Sequence, residues 1–130
     1  MNKTILCVDD DEDDLFLLRD SIESMDTTYT IVEASDGVHA LDVLHQMKER
    51  NVFPCLVVLD INMPRMDGKQ TLTHIKKDKQ LKEIPLIVFT TSSNPLDKLY
   101  CAHYGVELVT KPYDIKSTES IVKRLLKSCV

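Results

Sequence analysis

Cys55-Leu56-Val57-Val58-Leu59-Asp60-Ile61-Asn62-Met63-Pro64-Arg65-Met66-Asp67-Gly68 is the stretch that decides the fold. Its first five residues are a short apolar run closed by turn residues, the pattern of a parallel strand buried on both faces. An acid ending such a strand stands at the C-terminal edge of a sheet, where open α/β folds bind ligands. Asp9 and Asp10 likewise follow Thr4-Ile5-Leu6-Cys7-Val8. Thr90 ends Leu86-Ile87-Val88-Phe89, and Lys111 follows Val106-Glu107-Leu108-Val109-Thr110. These strands deliver acids, a hydroxyl and an amine to one edge, which is the chemistry of a metal and a phosphoryl group.

Outward from these strands, the chain alternates strand and helix signals five times. The predicted strands are 4–8, 29–34, 55–60, 86–90 and 106–110. Helix one spans roughly 13–25, with Leu15, Leu18, Ile22 and Met25 as its core face. Helix two follows the Asp36-Gly37 turn and turns Ala40, Leu41, Leu44 and Met47 inward. Helix three runs from about Gly68 to Lys77, with Leu72 and Ile75 inward. Helix four starts near Asn94-Pro95, a cap followed by a residue suited to the first turn. Helix five carries Ile121, Val122, Leu125 and Leu126. Strict alternation implies a parallel sheet with helices on both faces and right-handed crossovers. Five units predict an α/β, doubly wound sheet of flavodoxin-like order 2-1-3-4-5. Its switch point falls between strands one and three, which carry Asp9-Asp10 and Asp60.

The length of 130 residues fits one domain, read as 1–130, with enough surface to bury a real core. A net charge of −5 argues against nonspecific nucleic-acid binding. No apolar run approaches the ~20 residues of a membrane span, and no signal peptide is expected ahead of the first strand. The expected location is cytoplasmic. Cys7, Cys55, Cys101 and Cys129 form no C-x-x-C pair and read as small buried hydrophobes in a reducing compartment, not as a disulfide or zinc set. His39, His45, His74 and His103 show no ligand spacing.

Three carboxylates brought together repel one another unless a cation neutralises them, and oxygen-only ligands select a hard ion such as magnesium. Asp10 and Asp60 fit as direct ligands, with Asp9 acting through water. An aspartate can also attack a phosphoryl group and hold it as an acyl phosphate. Lys111 would add a second positive centre, and the Thr90 hydroxyl a hydrogen bond to a phosphoryl oxygen. The run Asp9 to Asp14 mimics a calcium loop, but Asp14 stands where Gly is required and Asp20 where a bidentate Glu is expected. Asp11 to Asp14 read instead as the start of helix one, where acids complement the helix dipole.

Taken together, Ile5-Leu6-Cys7-Val8-Asp9-Asp10, Val58-Leu59-Asp60-Ile61-Asn62-Met63-Pro64 with Met66-Asp67-Gly68, Ile84-Pro85-Leu86-Ile87-Val88-Phe89-Thr90 and Thr110-Lys111-Pro112-Tyr113 resemble the receiver domain of two-component response regulators. The resemblance covers the whole chain. It implies a phosphoprotein of a phosphorelay in which Asp60 accepts a phosphoryl group from the phosphohistidine of a histidine kinase or histidine phosphotransfer protein. It implies Mg2+ on Asp10, Asp60 and the main-chain carbonyl of Asn62, with Asp9 assisting through the metal's waters. Thr90 and Lys111 would read the phosphoryl group, and the helix four–strand five–helix five surface would switch to bind a downstream protein. The resemblance further implies a regulator with no output domain, similar to the single-domain chemotaxis and phytochrome-associated types. It would be a monomer or weak dimer, and no enzyme beyond its own phosphorylation and dephosphorylation. One departure is Leu108, where many receivers carry Tyr or Phe.

Two other readings stay open. A phosphotransferase of the haloacid dehalogenase class shares the strand-end Asp, but wants a second Asp where Asn62 stands. A receiver-like scaffold without phosphorylation would not need the intact acids, Thr90 and Lys111. Two local expectations complete the reading. The chain must turn sharply after strand five, so a cis Lys111–Pro112 bond is expected. Phe16 and Leu17 point away from the core face of helix one and, with Pro112 and Tyr113, would form an apolar patch for the phosphodonor.

Overall fold

The computed structural model describes residues 3–63, 66–92 and 94–129. Pro64 and Arg65 of the decisive stretch, and Ser93 of the predicted switch loop, lie outside the described residues. In chain order the elements are β1 (Thr4–Val8), α1 (Glu12–Met25), β2 (Thr30–Ala34), α2 (Gly37–Glu49), β3 (Leu56–Leu59), α3 (Gly68–Lys77), a 3-10 turn (Leu81–Glu83), β4 (Leu86–Thr90), α4 (Pro95–His103), β5 (Glu107–Thr110) and α5 (Ile115–Leu126). The strands form one parallel sheet of order β2-β1-β3-β4-β5, as the alternation predicts.

Period-two alternation of side chains divides the core into two layers. Leu6, Val8, Val57, Leu59 and Val88 face one way and pack with Ala40, Leu44, Leu72, Ile75 and Cys101 of α2, α3 and α4. Ile5, Cys7, Leu56, Val58, Ile87 and Phe89 face the other way, against Leu15, Leu18 and Ile22 of α1 and Val122 and Leu125 of α5. Each fully buried Leu, Ile or Val contributes about 1.5–3 kcal/mol. Every helix begins on an Asx side chain. Asp11, Asp36, Asp67, Asn94 and Asp114 each accept a backbone N–H of the first turn, and Asp67 with Gln70 closes a full capping box.

Three local expectations are corrected. Met25 does not join the core: it is the last residue of α1 and is exposed, and the chain turns at Asp26 toward β2. Cys55 and Cys129 are not separate thiols but a disulfide, with Cα atoms 4.8 Å apart, inside the span such a bridge takes. The end of α5 returns to the start of β3, a proximity that a sequence separation of 74 does not reveal. Cys7 and Cys101 are free and buried as expected, and burial pushes the Cys7 thiol up to about 12. The Lys111–Pro112 peptide is trans, since the described residues contain no cis bond. The Lys111 N–H extends the ladder to the Thr90 carbonyl at 2.8 Å, and Lys111 reaches the sheet edge without a cis turn.

Candidate functional site

The parallel ladders bring the predicted residues together. The Asp9 N–H donates to the Ala34 carbonyl at 3.1 Å and the Asp60 N–H to the Val8 carbonyl at 2.9 Å. Both acids therefore stand one residue past their strands at the same edge, at the switch point between β1 and β3. Each is pinned by its own loop: Asp9 accepts the Asp11 N–H at 3.0 Å, and Asp60 the Asn62 N–H at 3.2 Å. Gly68 closes the β3–α3 connection with a 2.8 Å hydrogen bond to the Ile61 carbonyl.

Carboxylate oxygens of Asp9, Asp10 and Asp60 all lie within 4.8 Å of one another. Asp9 and Asp60 are buried, and Asp10 is exposed at the mouth. Burial raises the Asp9 carboxyl above the ordinary range even though Lys111 and the Asp11 N–H pull it down. Such a cluster is short of positive charge. An oxygen-only donor set with one open side fits a hard divalent cation that keeps some of its waters.

Lys111 brings a positive charge to these acids. Its ammonium lies 2.5 Å from Asp9, 2.8 Å from Asp14 and 3.3 Å from Asp60. Burial pulls the ammonium's pKa down, but the bonds to Asp14 and Asp9 and the charge of Asp60 outweigh it and leave it raised. Thr90 is fully buried at the end of β4, where its hydroxyl oxygen accepts the Ser92 N–H at 3.3 Å.

Some residues here were invisible to the sequence reading. In the sequence Asp14 reads as a helix-dipole residue alone, and no spacing signal links it to a lysine 97 residues away. Ser92 donates to Asp97 at 2.5 Å, and Asp97, buried on α4, pairs with Lys69 of α3 at 2.5 Å. Lys69 and Ser92 hold the Asp97 carboxyl below the usual range. The loop that follows Thr90 is thus tied to α3. Of the predicted patch, Leu17 (54% exposed) shares a depression with Pro112 and Tyr113 (99% exposed). Phe16 (64% exposed) is not part of it. It lines a separate cleft with Arg19, Glu33 and His39, because one residue turns the helix about 100°. Leu108, in register with Val88, packs partly buried against the α2–α4 side of the core.

Residues 5–123 match the family described as Response regulator receiver domain. The response regulator Rcp1 of Synechocystis sp. is 33% identical over 125 residues, 93% of this chain and 84% of Rcp1. A solved Mn(2+)-bound form of Rcp1 has a TM-score of 0.82 at 29% identity, covering 96% of this chain and 92% of that one. The phosphorylated cyanobacterial phytochrome response regulator RcpA has a TM-score of 0.90 at 30% identity, covering 99% and 94% of the two chains. The sensor histidine kinase CheAY of Helicobacter pylori is 30% identical over 124 residues, but the chain spans only 15% of that protein's length. No helix among the described residues is long and apolar enough to cross a membrane. With the matching fold, the acid cluster at the switch point and these relatives, the chain belongs to the receiver domains of two-component response regulators.

Proposed function

We propose that Asp60 accepts a phosphoryl group from the phosphohistidine of a histidine kinase or histidine phosphotransfer protein. The observation that carries this reading is the convergence of three carboxylates and the Lys111 ammonium on one sheet edge. Asp10, Asp60 and the main-chain carbonyl of Asn62 would hold Mg2+, with Asp9 reaching it through water. The ion would neutralise charge on the transferring group. Asp60 attacks phosphorus with an oxygen lone pair as the phosphorus–nitrogen bond to histidine breaks, and Lys111 and Thr90 bind the oxygens of the resulting acyl phosphate. The chain is regulatory, and its only chemistry on this reading is on itself.

Thr90 then turns toward the phosphoryl group, and its bond to the Ser92 N–H must shift. That movement reaches the start of α4, where Leu96 and Leu99 are exposed. It is a population shift between two loop arrangements that changes the α4–β5–α5 surface for a protein target. Leu108 leaves this switch without an aromatic ring, so Thr90 carries it. Leu17, Pro112 and Tyr113 beside the site provide an apolar seat for the phosphodonor, while Phe16 belongs to another face. Mass spectrometry after incubation with acetyl phosphate and Mg2+ tests the acceptor. One phosphoryl group should appear, and chelator should suppress it. Equal labelling of Asp60→Asn would overturn the assignment.

A further inference from the structure

Lys111 is not centred on Asp60. Its ammonium sits closer to Asp9 and Asp14, at 2.5 and 2.8 Å, than to Asp60 at 3.3 Å. Asp9 and Asp60 belong to the cluster that fits a cation, and Asp14 does not. When that cluster's charge is met, Asp14 is the carboxylate of the three still left to Lys111. Asp14 also differs from its neighbours in the first turn of α1. Glu12 and Asp13 are exposed, whereas the Asp14 side chain is 34% exposed and bends across to a lysine on another element. A role confined to the helix dipole would not need that contact. The lysine lies over the Phe89 ring, 6.0 Å from its centroid. From that apolar footing the ammonium can lean toward Asp14 or toward Asp60.

We propose that Asp14 is the resting counter-ion of Lys111, a positioning residue that holds the ammonium back from Asp60 and competes with an incoming phosphoryl group for it. The proposal rests on the reading of Asp60 as phosphoacceptor. Removing the Asp14 charge should therefore help phosphoryl binding, the opposite of what loss of Asp9, Asp10 or Lys111 would do. A partly exposed ion pair of this kind is worth a factor of about two to five.

The test is beryllium fluoride, a non-reacting stand-in for the phosphoryl group, titrated at saturating Mg2+ and followed by amide chemical shifts. Asp14→Asn should bind it about two- to fivefold more tightly, and acetyl phosphate labelling should speed up by a similar factor. Asp13→Asn is the control: it makes the same charge change in the same turn without touching Lys111, and should move neither readout beyond a small general charge effect. A matching amide spectrum of metal-free Asp14→Asn checks its fold, and Asp14→Ser serves as a second variant. Weaker binding by both Asp14 variants, or equal behaviour of the Asn variants at 13 and 14, would overturn the proposal while leaving Asp60 as acceptor. Failure of the unmodified protein to bind beryllium fluoride would remove the acceptor reading and this proposal with it.

Discussion

Gly68 occupies a place where no side chain fits. A Cβ there would fall on the Asp60 carbonyl oxygen and the Ile61 Cα, both backbone atoms that cannot swing aside. Those are the atoms that aim Asp60. Gly68→Ala should cost about 1–3 kcal/mol of stability, the usual range for overpacking a tight contact. It should also slow acetyl phosphate labelling, because the β3–α3 loop must move. Urea unfolding and the labelling rate check this, and a variant unchanged in both would mean that the loop yields freely. Asp9, Asp10 and Asp60 were legible in the sequence because the pair Asp9-Asp10 and the single Asp60 come directly after the last apolar residue of a strand. Asp13 and Asp14 look alike there. Only the packing of α1 against α5 and the sheet edge decides that one faces solvent and the other faces Lys111.

Elements were most legible where a continuous apolar run or a helix cap marks the ends. β1, β4 and α3 occupy the predicted 4–8, 86–90 and 68–77, since continuous apolar runs and the Asp67-Gly68 cap leave little choice of boundary. Helix one shows where periodicity stops being enough. Its buried stripe of Leu15, Leu18 and Ile22 is as predicted. The outward residues Phe16 and Leu17 diverge to opposite flanks, and a helical wheel alone does not show which neighbour each flank meets. On the proposed reading, the flank decides which residue meets a phosphodonor. Leu17→Ala should slow phosphoryl transfer from a cognate phosphotransfer protein and leave acetyl phosphate labelling intact, because the small donor needs no apolar seat. Phe16→Ala should leave both reactions close to the unmodified protein. If Leu17→Ala slows the two reactions together, the residue supports the fold and the seat lies elsewhere.

On the scale of the molecule, the sheet separates chemistry from fastening. Asp60 ends β3 at the C-terminal edge, whereas Cys55 precedes the same strand and donates its N–H to the Thr4 carbonyl at the other end. Five residues of extended chain put about 16 Å between them. The Cys55–Cys129 bridge therefore clamps the end of α5 to the far edge, away from the acids, and closes a loop with a sequence separation of 74. A bridge over a loop of that length can stabilise a fold by up to about 4 kcal/mol in the chain-entropy treatment. Nothing in the spacing of four isolated cysteines pointed to it, because the contact exists only once α5 has packed against β1 and β3. The expected outcome has two parts. Reductant should lower the urea midpoint of the unmodified protein but not that of Cys129→Ser, which should already be lower. Acetyl phosphate labelling of Asp60 should run at the same rate in all these forms, since neither the acids nor Lys111 touches the bridge. An unmodified protein indifferent to reductant would show that the two sulfurs stay thiols in solution. Labelling that fell with reduction would show that the two edges of the sheet are coupled through β3.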